Sequence, residues 1–406
     1  MPLKILLTLI FTFFLDNVGL FMVVPIYAPL LLHPDNTILP VTTSEFWRTL
    51  LIGLLIATYG VGQFLGGPLL GELSDQFGRK KVLMVGLVFL IIGNVLGFIG
   101  LLADELFLLF ICRFLTGFAS GNWSVMFAAV TDATHNAKQR NTYLGYLTGA
   151  AALGAVAGPF IGAHFSQPSA LFPFLNYATP FLVMVFLFIL NLFLLMTMFQ
   201  DGGQYTRRKL SIWISLTSMI DCFKMPVIRV MLIVFFFFSI SSESIFAGLP
   251  IYAVDHFNVN SIFIGNVIIL GSIISALTSI YFNKILSQTL SSKYIFLVSL
   301  FFLCLAYASF FIPYPATGLF FSYGLFGLTV ILVWTHANSL IIQLTNDTNQ
   351  GKVLGVNQSL CSLAIIVGPL LIGLFGAAHD TVPILISVIS SVIALLIFLV
   401  FLAKNV

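Results

Sequence analysis

Two long apolar runs, residues 50–71 and 82–103, are joined by the short charged stretch GELSDQFGRKK, residues 71–81. Each run has about the 20 residues that an α-helix needs to cross the roughly 30 Å hydrocarbon core of a bilayer. Gly71 and Gly78 permit a tight turn and a close approach of the backbone. The stretch therefore predicts a turn between two adjacent membrane-spanning helices.

The composition of the whole chain agrees with this interpretation. Of 406 residues, 17 are Lys or Arg and 14 are Asp or Glu, so that 8% are charged, where a soluble domain has roughly 25%. Hydrophobic residues make up 59%, and 43 residues are Phe. So few charges cannot cover a soluble fold of this length, and a disordered chain has the opposite composition. The chain is therefore expected to be a polytopic membrane protein and not a water-soluble enzyme.

The apolar runs predict an all-α membrane protein with twelve spanning helices in two pseudo-symmetric six-helix bundles. The runs lie near 4–31, 50–71, 82–103, 106–131, 142–164, 178–199, 227–253, 261–284, 294–313, 316–343, 353–376 and 381–403. The first run lacks a small-residue cleavage site and is too long for a signal peptide, so it is interpreted as a retained span. The predicted domains are an N-terminal bundle over 1–200, a linker over 201–226 and a C-terminal bundle over 227–406.

The basic residues predict the orientation, because cytoplasmic loops are enriched in Lys and Arg. With the N-terminus in the cytoplasm, the bases on that side are Lys4, Arg79, Lys80, Lys81, Lys138, Arg140, Arg207, Arg208, Lys209, Lys224, Arg229, Lys284, Lys293, Lys352 and Lys404. Only Arg48 lies outside, and Arg113 lies within a span. Both termini are therefore expected in the cytoplasm, and the short outer loops favour a bacterial inner membrane.

The linker carries an apolar pattern of its own. Three basic residues, 207–209, precede apolar residues spaced three to four apart, at Leu210, Trp213, Leu216 and Ile220. This spacing predicts a short amphipathic helix at the membrane interface. It is either a plain linker helix or a regulatory surface.

The two halves share an internal repeat. The fifth span has Leu144-Gly145 followed by Gly158-Pro159, and the eleventh has Leu354-Gly355 followed by Gly368-Pro369. The offset of 210 residues is close to half of the chain. Matching six-helix halves are typical of a duplicated transporter with its site near the bilayer midplane.

The fifth span also has a face of small residues. Gly154, Gly158 and Gly162 recur every four residues, which allows another helix to approach closely. Pro159 removes a backbone hydrogen bond and can bend the helix. The pattern is compatible with a gating surface or with ordinary tight packing.

Three charged residues lie inside spans, where an unpaired charge costs at least about 2.5–3.5 kcal/mol. They are Asp16, Arg113 and Glu243. At about 1.5 Å of rise per residue, all three fall at one level, roughly 20 Å from the inner face. Burial and a nearby guanidinium shift the pKa of a carboxyl group in opposite directions. The hypothesis is that Asp16 or Glu243 carries a proton, with Arg113 as the counter-charge; the alternative is a static buried ion pair.

Weaker candidates for substrate contacts are polar and aromatic residues of the same spans, each of which is more often an interhelical hydrogen bond or a packing residue. They are Asn17, Tyr27, Tyr59, Gln63, Asn122, Trp123, Tyr146, Trp334, His336, Asn338, Asn357 and Gln358. The four cysteines lack metal-type spacing and are expected to be free thiols.

Several stretches resemble motifs of the major facilitator superfamily. Residues 71–81 resemble its loop signature G-x-x-x-D-x-x-G-R-K, and depart from it at Gln76, where a basic residue is common. Residues 154–163 are similar to the fifth-helix motif of the proton-coupled antiporters, with Ala163 in place of Gly, and residues 113–117 resemble the fourth-helix motif. Residues 15–19 resemble the first helix of tetracycline-type efflux proteins, and the second half has no clear copy of the loop signature.

The resemblance implies two bundles that rock about a central site. It implies a gating loop of Gly71, Asp75, Gly78, Arg79 and Lys80, in which Arg79 is also within reach of Asp132 at the inner end of the fourth span. It further implies that the glycine face of the fifth helix meets the other half and seals the outward side in the inward-open state.

We therefore expect a secondary active transporter that exports a small organic compound in exchange for protons by alternating access. Alternatives are a proton-coupled uptake symporter for a metabolite or siderophore, or a non-transporting receptor on the same fold. An enzyme is not expected, because no His-Glu-x-x-His, Ser/His/Asp or paired-Asp set lies at matching depth. The expected partners of the monomer are the substrate and the lipid bilayer, without nucleic acid, metal or any cofactor beyond the coupling proton.

Overall fold

The computed structural model describes residues 3–33, 38–134, 136–170, 172–199, 220–346 and 349–404. Within these residues, twelve helices are long and apolar enough to cross a bilayer. They are α1 (Leu3–Leu32), α2 (Glu45–Phe77), α3 (Arg79–Leu102), α4 (Leu106–Asp132), α5 (Ala137–His164), α6 (Thr179–Met198), α7 (Pro226–Phe257), α8 (Ser261–Thr289), α9 (Ser292–Phe311), α10 (Gly318–Gln343), α11 (Gln350–Ala378) and α12 (Val382–Lys404). The prediction of an all-α, twelve-helix membrane protein is confirmed.

Two of the helices are interrupted at single residues. Helix α1 breaks at Val23, two residues before Pro25, which has no backbone N–H to donate. Helix α4 breaks at Gly121, where a Cβ atom would lie 2.3 Å from the carbonyl carbon of Gly66 in α2. A side chain at this break would therefore separate α4 from α2.

The turn between α2 and α3 is shorter than the sequence predicts. Helix α2 continues to Phe77 and α3 begins at Arg79, so that Gly78 alone lies between them, with φ of 101°. Within the described residues, Gly78 is the one glycine with positive φ, and Gly71 is helical. The predicted role of Gly71 in the turn is thus wrong, because the chain reverses seven residues later, about two helical turns on.

Helix α8 has a five-residue π-helical segment, Thr278–Phe282, where the sequence predicts a regular helix. The predicted linker helix, which depends on Leu210, Trp213 and Leu216, lies outside the described residues.

The chain divides into two compact units, Met1–Thr42 with Thr58–Ile212, and Thr43–Ala57 with Trp213–Val406. The predicted first domain, 1–200, thus differs from the first unit, because the beginning of α2 belongs to the second unit. The reason is close packing on α11: a Cβ atom on Gly53 would lie 2.4 Å from the carbonyl oxygen of Pro369.

Helix packing repeats between the units. In the first unit α1 packs on α5, and α3 packs on α4 and α6; in the second unit α7 packs on α11, and α9 packs on α10 and α12. Glycines repeat as well. A Cβ atom on Gly117 of α4 would meet the backbone of Tyr59 in α2, and one on Gly327 of α10 would meet the backbone of Gly271 in α8. Gly117 and Gly327 are separated by the same 210 positions as the predicted repeat.

Candidate functional site

Asp16 of α1 and Arg113 of α4 line one small cavity inside the first unit. Its volume of about 10 Å³ is close to the least that can hold one water molecule. The remaining lining comes from helices α1, α2, α3, α4 and α6, through Gly19, Leu20, Met22, Val23, Tyr59, Leu90, Asn94, Cys112, Thr116, Ser120, Phe181 and Phe188. The structure thus brings together two of the three predicted intramembrane charges.

The carboxyl group of Asp16 is buried without a hydrogen bond in the part of the chain that the structure describes. Its side chain is 3% exposed, and neither Oδ1 nor Oδ2 has a hydrogen-bond partner among the described residues. The adjacent residue, Asn17, instead donates from Nδ2 to the backbone carbonyl oxygen of Phe13, 2.8 Å away in its own helix. Asp16 therefore has protein packing around it but no donor to neutralise it.

Arg113 is held by aromatic rings. Its guanidinium carbon lies 4.4 Å from the ring centroid of Tyr59 and 6.0 Å from that of Tyr27. These distances are typical of cation–π contacts. The Nε atom of Arg113 has no hydrogen-bond partner among the described residues, and the side chain is 2% exposed. The predicted ion pair with Asp16 is not hydrogen-bonded in this arrangement, although both groups line the same cavity.

Sequence reasoning missed several polar groups in this cavity. Thr116 and Ser120 follow Cys112 at intervals of four residues, which places all three on one face of α4 beside Arg113. Asn94 joins them from α3, where its Nδ2 donates to the carbonyl oxygen of Leu90 at 2.8 Å. The four-residue spacing in α4 is a signal that could have identified this face from the sequence.

Glu243 lies in the second unit, on the long helix α7. Its side chain is partly accessible, and its Cβ atom would be 3.1 Å from a Cβ placed on Gly368 of α11. Tyr307 and Tyr323 lie close enough for electrostatic interaction with it, and so does Cys361. Glu243 is not in the lining of the cavity with Asp16 and Arg113, and the prediction that all three charges face one cavity stays a prediction.

The charged stretch of the α2–α3 turn forms an ion-pair cluster in the first unit. Arg79 Nη1 is 2.6 Å from Asp75 Oδ1, and Arg79 Nε donates to Asp132 Oδ2 at 3.0 Å. Arg79 Nη1 also donates to the hydroxyl of Ser74, and Lys80 Nζ donates to the carbonyl oxygen of Met196 in α6 at 2.8 Å. The predicted contact between Arg79 and Asp132 is present, and it ties the turn to the end of α4.

The glycine face of α5 packs on α1. A Cβ atom on Gly154 would lie 2.6 Å from the Cβ of Asn17, and one on Gly158 would lie 2.8 Å from the carbonyl oxygen of Val18. At Gly162 the distance to the carbonyl oxygen of Met22 would be 1.9 Å. All three glycines are therefore needed for close contact within the first unit, and the expectation that this face meets the other half stays a prediction. Pro159 lies inside α5, one residue after Gly158.

Among the weaker candidates of the first unit, Tyr59 lines the cavity and Tyr27 contacts Arg113. Others pack elsewhere. Asn122 is fully buried against Gly86 of α3, Trp123 packs on Phe13 with ring centroids 5.2 Å apart, and Gln63 is buried. Tyr146 is half exposed and stacks on Tyr143.

In the second unit the weaker candidates form two contacts. His336 Nε2 lies 2.9 Å from Oδ1 of Asn283, the residue that follows the π-helical segment of α8. Asn357 of α11 donates to Oδ1 of Asn338 in α10 at 3.1 Å. The remaining two are exposed; Trp334 packs on Phe235, and Gln358 is on the surface of α11.

Sequence reasoning also missed charged contacts between distant residues. Lys352 Nζ lies 2.7 Å from Asp221 Oδ2, and Lys224 Nζ lies 3.3 Å from Asp221 Oδ1. The hydrogen bonds from Lys352 and Lys224 hold the pKa of Asp221 below its ordinary value. Elsewhere in the second unit, the carboxylate of Asp380 contacts the imidazoles of His256 and His379. No pattern in the sequence marks the two long-range pairs, since 131 positions separate Asp221 from Lys352 and 124 separate His256 from Asp380.

Comparison with known proteins gives a consistent result. The sequence model of the Major Facilitator Superfamily matches residues 6–369 and 231–406. The chain is 25% identical over 391 residues to the class C tetracycline resistance protein of Escherichia coli, covering 93% of this chain and 91% of that protein. It is 35% identical over 142 residues, 34% of each chain, to the class B tetracycline resistance protein of the same organism.

Among solved structures, the human organic anion transporter MFSD10 (TETRAN) matches with a TM-score of 0.69. The match covers 98% of this chain and all of that chain, at 18% sequence identity. At this identity the likeness concerns the fold, and it agrees with the twelve-helix architecture.

Proposed function

Because this chain belongs to the Major Facilitator Superfamily and is a membrane transporter, we propose that it exports a small organic compound in exchange for protons. Its relatives with resistance names support export of a drug-like molecule. The transport cycle is alternating access, in which a central site opens to one side of the membrane at a time. Protons are the coupling ion, and no cofactor or metal takes part.

The observation that carries this proposal is the buried pair of Asp16 and Arg113 on one cavity. An unpaired charge at the centre of a bilayer costs at least about 2.5–3.5 kcal/mol, so ionisable residues there mark ion and proton pathways. A carboxyl group that is close to a guanidinium without a hydrogen bond to it can gain or lose a proton as the cavity opens and closes. Proton binding at Asp16 is thereby coupled to conformation.

Glu243 is the second carboxyl group available for coupling, since it is partly accessible and lies at the middle of α7. The Arg79 cluster, with its contacts to Asp75 and Asp132, acts as a latch at one end of the first unit. It closes the cytoplasmic side when the site opens outward.

We place the protein in a bacterial inner membrane with both termini in the cytoplasm, as a monomer whose partners are its substrate and the lipid bilayer. The Lys and Arg residues concentrated on the side of the N-terminus support this orientation.

Transport into inverted membrane vesicles with an imposed acid-inside pH gradient tests the proposal. Tetracycline and a panel of small organic compounds serve as probes. We expect gradient-driven uptake of at least one compound, which falls to background in Asp16→Asn because an amide cannot exchange the proton. Asp104→Asn, the same change at an exposed loop position, is the matched control and should transport normally.

The variants also decide between the two carboxyl groups. If Glu243→Gln and not Asp16→Asn abolishes gradient-driven uptake, Glu243 carries the proton. Full activity in both variants and in the double variant would contradict proton coupling at these residues. Movement in the opposite direction, with the proton, would identify an uptake symporter.

A further inference from the structure

We propose that Tyr59 is a positioning residue for Arg113. Its ring holds the guanidinium while Asp16 carries a proton, and it releases the guanidinium to the carboxylate when the proton leaves. The inference rests on the proposed proton coupling. It adds that Tyr59 influences the pH at which Asp16 loses its proton.

The guanidinium has two competing neighbours. Its central carbon is 4.4 Å from the Tyr59 ring centroid, and the Asp16 carboxyl group lines the same cavity without a hydrogen-bond partner among the described residues. In a buried site an ion pair is stronger than a cation–π contact. Arg113 therefore stays on the ring only while Asp16 is neutral, and the arrangement in this structure fits the protonated acid.

The backbone that carries the Tyr59 ring is held by close contact between α2 and α4. A Cβ atom on Gly117 would lie 2.1 Å from the Tyr59 carbonyl oxygen, and one on Gly62 would lie 2.4 Å from the carbonyl oxygen of Phe114. Gly117 is one helical turn from Arg113, so that the ring and the guanidinium project from facing turns of two helices in contact. The backbone at Tyr59 cannot shift away without separating these helices, so we assign the movement to the longer side chain of Arg113.

Few other titratable groups face this pair. The cavity lining adds the Cys112 thiol from α4, and Tyr27 approaches Arg113 from α1 at the longer distance of 6.0 Å. The contributions of α3 and α6 to the lining are Leu90, Asn94, Phe181 and Phe188, none of which titrates. The charge on Arg113 is therefore shared between Asp16 and the aromatic rings.

Each half of the cycle moves one proton and one side chain. When Asp16 releases its proton to water on the open side, the new carboxylate draws the guanidinium from Tyr59. When a proton returns to Asp16 from the other side, the attraction is lost and the guanidinium goes back to the ring. Weakening the ring contact favours the ionised state, because Arg113 is then free to pair with Asp16.

Infrared titration of the purified full-length protein in lipid bilayers tests this inference without a substrate. The carboxylic-acid band that disappears in Asp16→Asn identifies Asp16, and its loss with rising pH gives the midpoint. Tyr59→Phe keeps the ring and removes only the hydroxyl, so we expect its midpoint to equal that of the parent protein. Phenylalanines with one, two and three fluorines are then incorporated at position 59, which weakens the ring's attraction for a cation while nearly keeping its shape.

We expect the midpoint to fall stepwise with each fluorine, by on the order of one pH unit over the series. A purely packing role for Tyr59 predicts no trend, so a constant midpoint overturns the inference, as does a spectrum in which Asp16→Asn removes no titrating band. Because the titration needs no transport, it separates the two proposals. Lack of vesicle uptake counts against the proposed function, whereas a constant midpoint with normal uptake counts against Tyr59 alone.

Discussion

At the scale of single residues, Gly78 carries the whole reversal of the chain between α2 and α3. Its φ of 101° is a conformation that L side chains rarely adopt. We expect Gly78→Ala to lower the free energy of unfolding by about 1–2 kcal/mol, visible as a lower Tm in detergent. Gly67→Ala is the matched control, because a Cβ atom there meets open space. Equal Tm values for the two variants would contradict this account.

Asp221 makes the stability of the second unit depend on pH. Its pKa is lowered in the folded protein by Lys352 and Lys224, so it contributes stability above its unfolded pKa of about 3.9. That contribution is lost as the pH falls through the lower, folded pKa. We expect Tm to drop in this acid range, and the drop to be smaller in Asp221→Asn. Lys224→Gln, which removes the more distant base, should lie in between; identical pH profiles for all three proteins would refute the role of Asp221.

The sequence allowed some of these residues to be identified and not others. Arg79 and Asp132 were paired because both lie at the same end of adjacent spans, where few charges compete. Counting residues along each helix also predicted that Asp16 and Arg113 lie at the same depth in the membrane. Depth does not give the rotation of a helix about its axis, however, and for that reason the contact of Arg113 with Tyr59 could not be predicted.

At the scale of helices, the α1–α5 contact depends on bare glycines. We expect Gly162→Ala to destabilise the protein by about 1–3 kcal/mol, because its Cβ would lie 1.9 Å from the backbone oxygen of Met22, which cannot move aside. Gly145→Ala in the same helix is the control, since its Cβ meets open space. Thermal unfolding of both variants in detergent checks the difference. Tolerance of alanine at position 162 would show that the two helices can separate at little cost.

Helix existence was predictable, but helix ends and irregularities were not. The apolar runs located all twelve spans, because crossing a bilayer requires a length that is easily recognised. The predicted second span ends at position 71, where polar residues begin. Helix α2 nevertheless continues to Phe77, because a charged residue of its last turns, Asp75, lies beyond the apolar run and pairs with Arg79. The break at Val23 and the π-helical segment of α8 depend on local packing that an apolar pattern does not record.

At the scale of the whole molecule, the predicted offset of 210 residues between the two halves applies beyond the Leu-Gly and Gly-Pro motifs from which it was derived. It also relates Gly117 and Gly327, which make equivalent contacts in the two units. The placement of Thr43–Ala57 with the second unit was not predictable, because the sequence of α2 is continuous through that point.

The proposed orientation predicts which loops a membrane-impermeant thiol reagent can reach. In a variant without Cys112, Cys222, Cys304 and Cys361, Lys81→Cys should react only in inverted vesicles. Glu105→Cys, at the opposite end of α3, should react only in intact cells. Both positions are exposed in the structure, so that access depends on the membrane side alone. The reverse labelling pattern would place the termini outside.

The single-residue turn at Gly78 has a consequence for biosynthesis. Helices α2 and α3 have 33 and 24 residues and are separated by one residue. No flexible loop therefore separates the insertion of the first helix from the synthesis of the second. The two helices are expected to enter the bilayer together as a helical hairpin. The three bases at 79–81 then keep the tip of that hairpin on the ribosome side. A longer, flexible insertion at Gly78 would allow the two helices to insert one after the other, and would weaken the control of topology at the stage of synthesis.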